Sequence, residues 1–159
     1  CVFRAIDFSF FFYNFIFRYY KMILEIESAV NYLEDLIRMS KQNVSEYTLN
    51  KFNKNLLKEL KLQFSDHWSP SHPYLGTGAR CIRINKKIDP RIVMVCKSIG
   101  LSFEDIYLLF PKDFIMWIDP QMVSCRHSNG PTCILYDNDS IPWQSSKKQR
   151  KNCCYPFKW

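Results

Sequence analysis

Three histidines, seven cysteines and a few neighbouring carboxylates are the side chains of this chain that could do chemistry. Nucleophilic catalysis needs a Cys or Ser activated by a His. His67 and His72 stand in the loop ahead of Cys81, so a Cys–His pair is conceivable there. Cys81, however, lies between Arg80 and Ile82 at the start of a strand-like run, with no Gly-rich turn to expose its thiol. Zinc could draw on Cys125, His127, Cys153 and Cys154, but their spacings match no finger or ribbon. Glu104–Asp105 and Asp137/Asp139 fall at a helix start and in a turn, where Asp is favoured for local backbone hydrogen bonds. No phosphate loop, metal motif or nucleophile elbow occurs. The expectation is no catalytic residue, no cofactor and no metal.

The cysteines point elsewhere. Cys81, Cys96, Cys125 and Cys133 each sit inside an apolar stretch, and no C-x-x-C pair or regular framework is present. They read as buried free thiols in a reducing compartment.

The elements that must position these residues follow from periodicity. Ile23, Ile26, Val30, Leu33 and Ile37 recur at helical spacing and predict an amphipathic helix over roughly 23–40. Ser45 is a candidate N-cap for a second helix, striped by Leu49, Phe52, Leu56, Leu60 and Phe64, with Lys51, Lys54, Lys58 and Lys61 on its other face. Pro70, Pro73, Gly76 and Gly78 then force a loop before a strand at 81–84. Asp89-Pro90 opens a helix to about Ser98 that Gly100 stops, and Ser102 with Asp105 marks a short helix to about Leu109. Strands are predicted at 114–119, 123–127 and 132–137, the last two joined across Asn129-Gly130. Helices first and hairpin-linked strands last give an α+β fold, amphipathic helices against a small, mostly antiparallel sheet.

The segment 114–119 is apolar on both faces: Phe114, Met116 and Ile118 point one way, Ile115 and Trp117 the other. From the strand pattern alone, Trp117 is either an exposed interface residue or part of a two-sided core.

A pI of about 9.0 invites a nucleic-acid reading. Residues 22–140 nevertheless hold 14 Lys+Arg and 14 Asp+Glu, so the basicity belongs to the ends. A domain that lives by phosphate contacts carries its own basic face. FSFFFYNFIF at 8–17 is too short to span a bilayer and no small-residue cleavage site follows it. Residues 1–21 therefore read as an extension or leader, 22–139 as the domain, and 140–159 as a basic, disordered tail in which KKQRK is a candidate nuclear-localisation patch.

Two longer runs carry a resemblance. HWSPSHPYLGTGARCIRIN looks like box A of the BTG/Tob antiproliferative family, an H-W-x-P-x-x-P-x-x-G-[ST]-G-aromatic-R-C-I motif. LFPKDFIMWIDPQMVSCRH looks like box B, with its W-[VI]-D-P core at Trp117–Pro120. MILEIESAVNYL at 22–33 is similar to the family's opening helix, KIDPRI and SIGL to its linking helix, and LYDND at 135–139 to its end. The resemblance covers about 22–139, with the Tob branch looking closer.

It implies a non-enzymatic adaptor that binds the Caf-type deadenylase subunit of the CCR–NOT complex, promoting mRNA deadenylation and decay and restraining proliferation. It also implies cytoplasmic and nuclear residence, with transcription factors as further partners, no sequence-specific nucleic-acid binding by the domain and no membrane. By the same resemblance Trp117 and Asp119 carry the contact from box B, while His67 and the Gly76–Arg80 segment, including Ala79 and Arg80, shape box A. Two departures bear on affinity. The family's aromatic before Arg-Cys is Ala79 here, and the aromatic after W-[VI]-D-P is Gln121. Losing an anchor that buries roughly 150–250 Å² costs about 2 kcal/mol of binding. The alternative function is a nucleic-acid-binding or transcriptional co-regulator acting through the basic tail and the lysines at 51–61.

Overall fold

The computed structural model describes residues 7–138, with side chains described from Met22 onward. Helix α1 spans Asp7–Met39 and α2 spans Glu46–Phe64. α1 starts well before residue 23, where its apolar spacing begins. The sequence offers no Pro or Gly anywhere in that stretch to stop helix propagation. Ser45 caps α2 as expected, its Oγ accepting the Thr48 N–H at 3.2 Å. All five residues of the α2 stripe are buried, in one core with Met22, Ile26, Val30, Leu33 and Ile37 of α1. Burying each such side chain contributes about 1.5–3 kcal/mol.

A 3-10 turn at Ser65–His67 leads into the Pro- and Gly-rich loop, which ends in the one-turn helix α3, Thr77–Arg80. Then come β1 (Ile82–Ile84), α4 (Pro90–Ser98) and α5 (Phe103–Leu109). Asp89 caps α4 by accepting the Arg91 N–H, Gly100 ends that region at φ 88°, and Ser102 and Asp105 form a complete capping box on α5. Strands β2 (Phe114–Asp119), β3 (Met122–His127) and β4 (Thr132–Asp137) complete a four-stranded antiparallel sheet in the order β1-β2-β3-β4. The predicted α+β architecture is the observed one.

Three local features differ from expectation. Cys81 is the C-cap of α3, so β1 begins at Ile82. A second hairpin, unsignalled by Gly or Asn, joins β2 to β3 across Pro120-Gln121, with Gln121 at φ 73°. In the β3–β4 connection the left-handed residue is Ser128 at φ 46°, ahead of the Asn129-Gly130 pair.

The helices cover one face of the sheet. Phe114, Met116 and Ile118 of β2 lie in the core with Val123 and Cys125 of β3, and the Tyr32 ring of α1 stacks on Phe114 at 6.2 Å. Cys81, Cys96, Cys125 and Cys133 are free and buried, as their apolar neighbours predicted. Burial pushes the Cys96 thiol up to about 12.

Candidate functional site

Strand alternation sorts β2 into two sets. Ile115 and Trp117 point away from the helices and are half-buried, as is Met122 of β3. Arg83 pairs with Ile115 from β1, and Arg126 pairs with it from β3. The Arg126 guanidinium lies 5.7 Å from the centre of the Trp117 ring, a cation–π contact at the water's edge. Trp117 therefore belongs to the outer face of the sheet and not to a two-sided core.

The end of this face is closed by the loop at 73–80. Arg80 is 0% exposed, and each of its five N–H groups has an acceptor. Nε donates to Ile118 O at 3.0 Å, Nη1 to His67 O at 2.5 Å and Leu75 O at 2.9 Å, and Nη2 to Pro73 O at 2.6 Å and the Asp119 carboxylate at 2.7 Å. The guanidinium carbon also sits 5.5 Å from the ring of the buried Trp68. Thr77 Oγ1 donates to the same Asp119 oxygen at 2.9 Å. One cation thus ties the Pro-rich loop, the 3-10 turn and the end of β2 together. Gly76 is required by this clamp: it takes φ 82°, and a Cβ there would stand 3.1 Å from Arg80 Nη1.

Asp119, expected to carry the box B contact, lies at the buried end of β2. It is 3% exposed, and its role in this geometry is to hold Arg80 and Thr77. Arg80 likewise shapes the loop from inside. Ala79 is exposed on α3, and its carbonyl accepts from Arg91 Nη1 at 3.1 Å. The His67 side chain is exposed, while its backbone carbonyl serves the clamp. Gln121 is half-buried in the β2–β3 turn, where its N–H donates to Glu25 Oε1 at 2.9 Å and its carbonyl accepts from the Asn138 N–H. Glu25 itself is 1% exposed on α1, so the turn is gripped from the helical layer. Sequence reasoning passed over Glu25; a carboxylate at one of the helix's core-facing positions was the available signal.

The conceivable catalytic pair does not assemble. Cys81 is buried and its thiol bonds to Ile82 O at 3.9 Å, whereas His67 and His72 are exposed. His127 lies on the inner face, its Nε2 2.9 Å from the Tyr32 hydroxyl and its ring 4.7 Å from that of Phe114. Burial lowers its pKa to about 4. Cys153 and Cys154 lie outside the described residues, as do Asp139 and the basic tail. Among the described residues no group of three or more His, Cys, Asp or Glu could hold a metal ion, and no helix is long and apolar enough to cross a membrane.

Comparison with known proteins places the chain in context. The sequence model of the BTG family matches residues 22–136. Human Protein BTG2 is 41% identical over 117 residues, covering 73% of this chain and 73% of its own length. Human Protein BTG1 is 39% identical over 117 residues, covering 73% and 68%. Mouse Protein Tob1 is 37% identical over 120 residues, covering 75% of this chain but 32% of its own length. Likeness to Tob1 is thus no sharper than likeness to BTG1 or BTG2. Among solved structures, the C. elegans FOG-3 BTG/Tob domain superposes with a TM-score of 0.62 at 22% identity, covering 76% of this chain and 92% of that one. That likeness supports the fold.

Proposed function

The chain belongs to the BTG family, and from that premise we propose that it is a non-enzymatic, antiproliferative adaptor whose outer sheet face docks the deadenylase subunit of the CCR–NOT complex. By bringing the deadenylase to target messages it promotes shortening of their poly(A) tails and restrains proliferation, in cytoplasm and nucleus. One observation supports this most. Trp117, at the centre of box B, is a large aromatic left half-open on the sheet face opposite α1, beside Arg126. Aromatic and Arg side chains are the types that dominate binding energy at interfaces. Trp117 and the exposed Ala79 and His67 are the surface members of this reading; Asp119, Arg80 and Gln121 hold the scaffold beneath.

The test is calorimetric titration of the full chain with the isolated deadenylase subunit. Trp117→Ala abolishes binding while the fold is kept, and Ala79→Tyr tightens it by restoring aromatic area beside the same site. Unchanged affinity in Trp117→Ala would refute the docking face.

A second reading has one observation in its favour. Lys51, Lys54 and Lys58 are exposed along α2. If that row and the tail bind RNA, affinity falls steeply with salt and survives Trp117→Ala. Binding that vanishes when residues 140–159 are removed would leave the adaptor reading in place.

A further inference from the structure

The Arg80 clamp fixes more than the outline of the loop. Two of its acceptors, Pro73 O and Leu75 O, bracket Tyr74, whose own carbonyl accepts from the Thr77 N–H at 3.3 Å. Three consecutive carbonyls are held in place, yet the last two of these residues expose their side chains to water: Tyr74 is 73% exposed and Leu75 69%. On a mobile loop such exposure would be unremarkable. On a backbone held by a buried guanidinium, the ordering entropy that association demands has already been lost in folding. A rigidly presented aromatic beside an aliphatic side chain is the form that binding anchors take.

Their position is equally specific. Asp119, which anchors the loop, is two residues from Trp117 and on the same face, about 7 Å along the strand. The loop and Trp117 therefore share one surface. Tyr74 and Leu75 fall on the two unspecified positions before Gly76 in box A, so they can vary without disturbing the clamp. They stand close in sequence to Ala79, where the family's aromatic is missing.

We infer that Tyr74 and Leu75 are this chain's own specificity-determining anchors, inserting as a pair into an apolar depression on the partner beside the point where Trp117 docks. The inference rests on the docking reading above. Arg126 beside Trp117 and the exposed Arg83 on β1 add positive charge at the edge, so the fitting depression has an acidic margin.

The experiment is titration of the full chain and of Tyr74→Ser/Leu75→Ser with the isolated deadenylase subunit, with Trp117→Ala as comparator and thermal midpoints measured alongside. The double variant loses affinity by about ten-fold or more at an unchanged midpoint, because both side chains are solvent-exposed. Adding Ala79→Tyr to it recovers part of the loss. If the double variant melts lower, the apolar variants Tyr74→Phe and Leu75→Met must retain binding; loss there overturns the anchors. Affinity within about two-fold of wild type in the serine variant also overturns them and leaves the docking reading standing. No binding by the wild-type chain removes the docking reading, and the anchors with it.

Discussion

The two faces of β2 are built from almost the same residue types and come to opposite ends. Phe114, Met116 and Ile118 disappear into the core beneath α1, while Ile115 and Trp117, interleaved with them, stay at the surface. Composition did not separate them. What separated them is that the helices are committed to one face, by the stripes of α1 and α2, so the other face has only the Arg80 loop to cover its Asp119 end. The lesson is that an apolar strand in a two-layer fold can serve stability and recognition on alternate residues.

The sharpest way to break that contrast is at the seam where the loop meets the strand. Asp119→Ala leaves the Arg80 guanidinium buried without its counter-charge and should cost about 3–5 kcal/mol in denaturant unfolding. Phe114→Ala on the inner face should cost a similar amount, roughly 3–5 kcal/mol, through the cavity it leaves. A loss below about 1 kcal/mol in either would mean that the seam or the inner face is not built as described.

Acid sharpens the contrast next. His127 belongs to the inner face and is held neutral, its pKa lowered by burial to about 4 against about 6.5 when unfolded. Between those values the unfolded chain binds the extra proton, so stability is flat above about pH 6.5 and falls as pH drops toward 4, on the order of 2 kcal/mol. His127→Gln should flatten that part of the stability–pH curve; parallel curves for wild type and variant would exclude His127 as the source.

Trp117→Ala comes third. It should change stability by less than about 1.5 kcal/mol, because a half-open ring has less burial to lose than a core aromatic. Destabilisation matching that of Phe114→Ala would erase the distinction between the faces. The smallest effect is at the turn: Gln121→Gly relieves a left-handed φ of 73° while keeping the N–H that Glu25 holds, and should raise the unfolding free energy by about 0.5 kcal/mol. A decrease would show that the Gln121 side chain contributes more than its backbone loses.

The sequence was most legible where periodicity and capping agreed. Leu49 through Phe64 read as one buried stripe and proved to be one, and Ser45, Asp89 and Ser102 cap the helices predicted for them. Strand existence was also legible; strand roles were not. Trp117 stayed ambiguous because alternation gives two faces without saying which one the helices take. The Pro120-Gln121 hairpin was missed because Gln rarely adopts positive φ, and here a contact from α1 holds it there. Arg80 carried no sign of burial, since an arginine is fully enclosed only when every donor finds an acceptor, and four of its five acceptors are backbone carbonyls brought together from the loop, the 3-10 turn and β2. The N-terminal reach of α1 went unread because its apolar period begins only near residue 23.

The bond from Glu25 to Gln121 joins residues 96 apart in the chain, and Tyr32 meets His127 across 95. Such high contact order has a consequence for biogenesis. On a ribosome adding about 5–20 residues per second, the α1 segment emerges roughly 5–20 s before the strands that cover it exist. For that interval Met22, Ile26, Val30, Leu33 and Ile37 have no sheet to rest on, and the nascent helix is a substrate for whatever guards hydrophobic segments during translation.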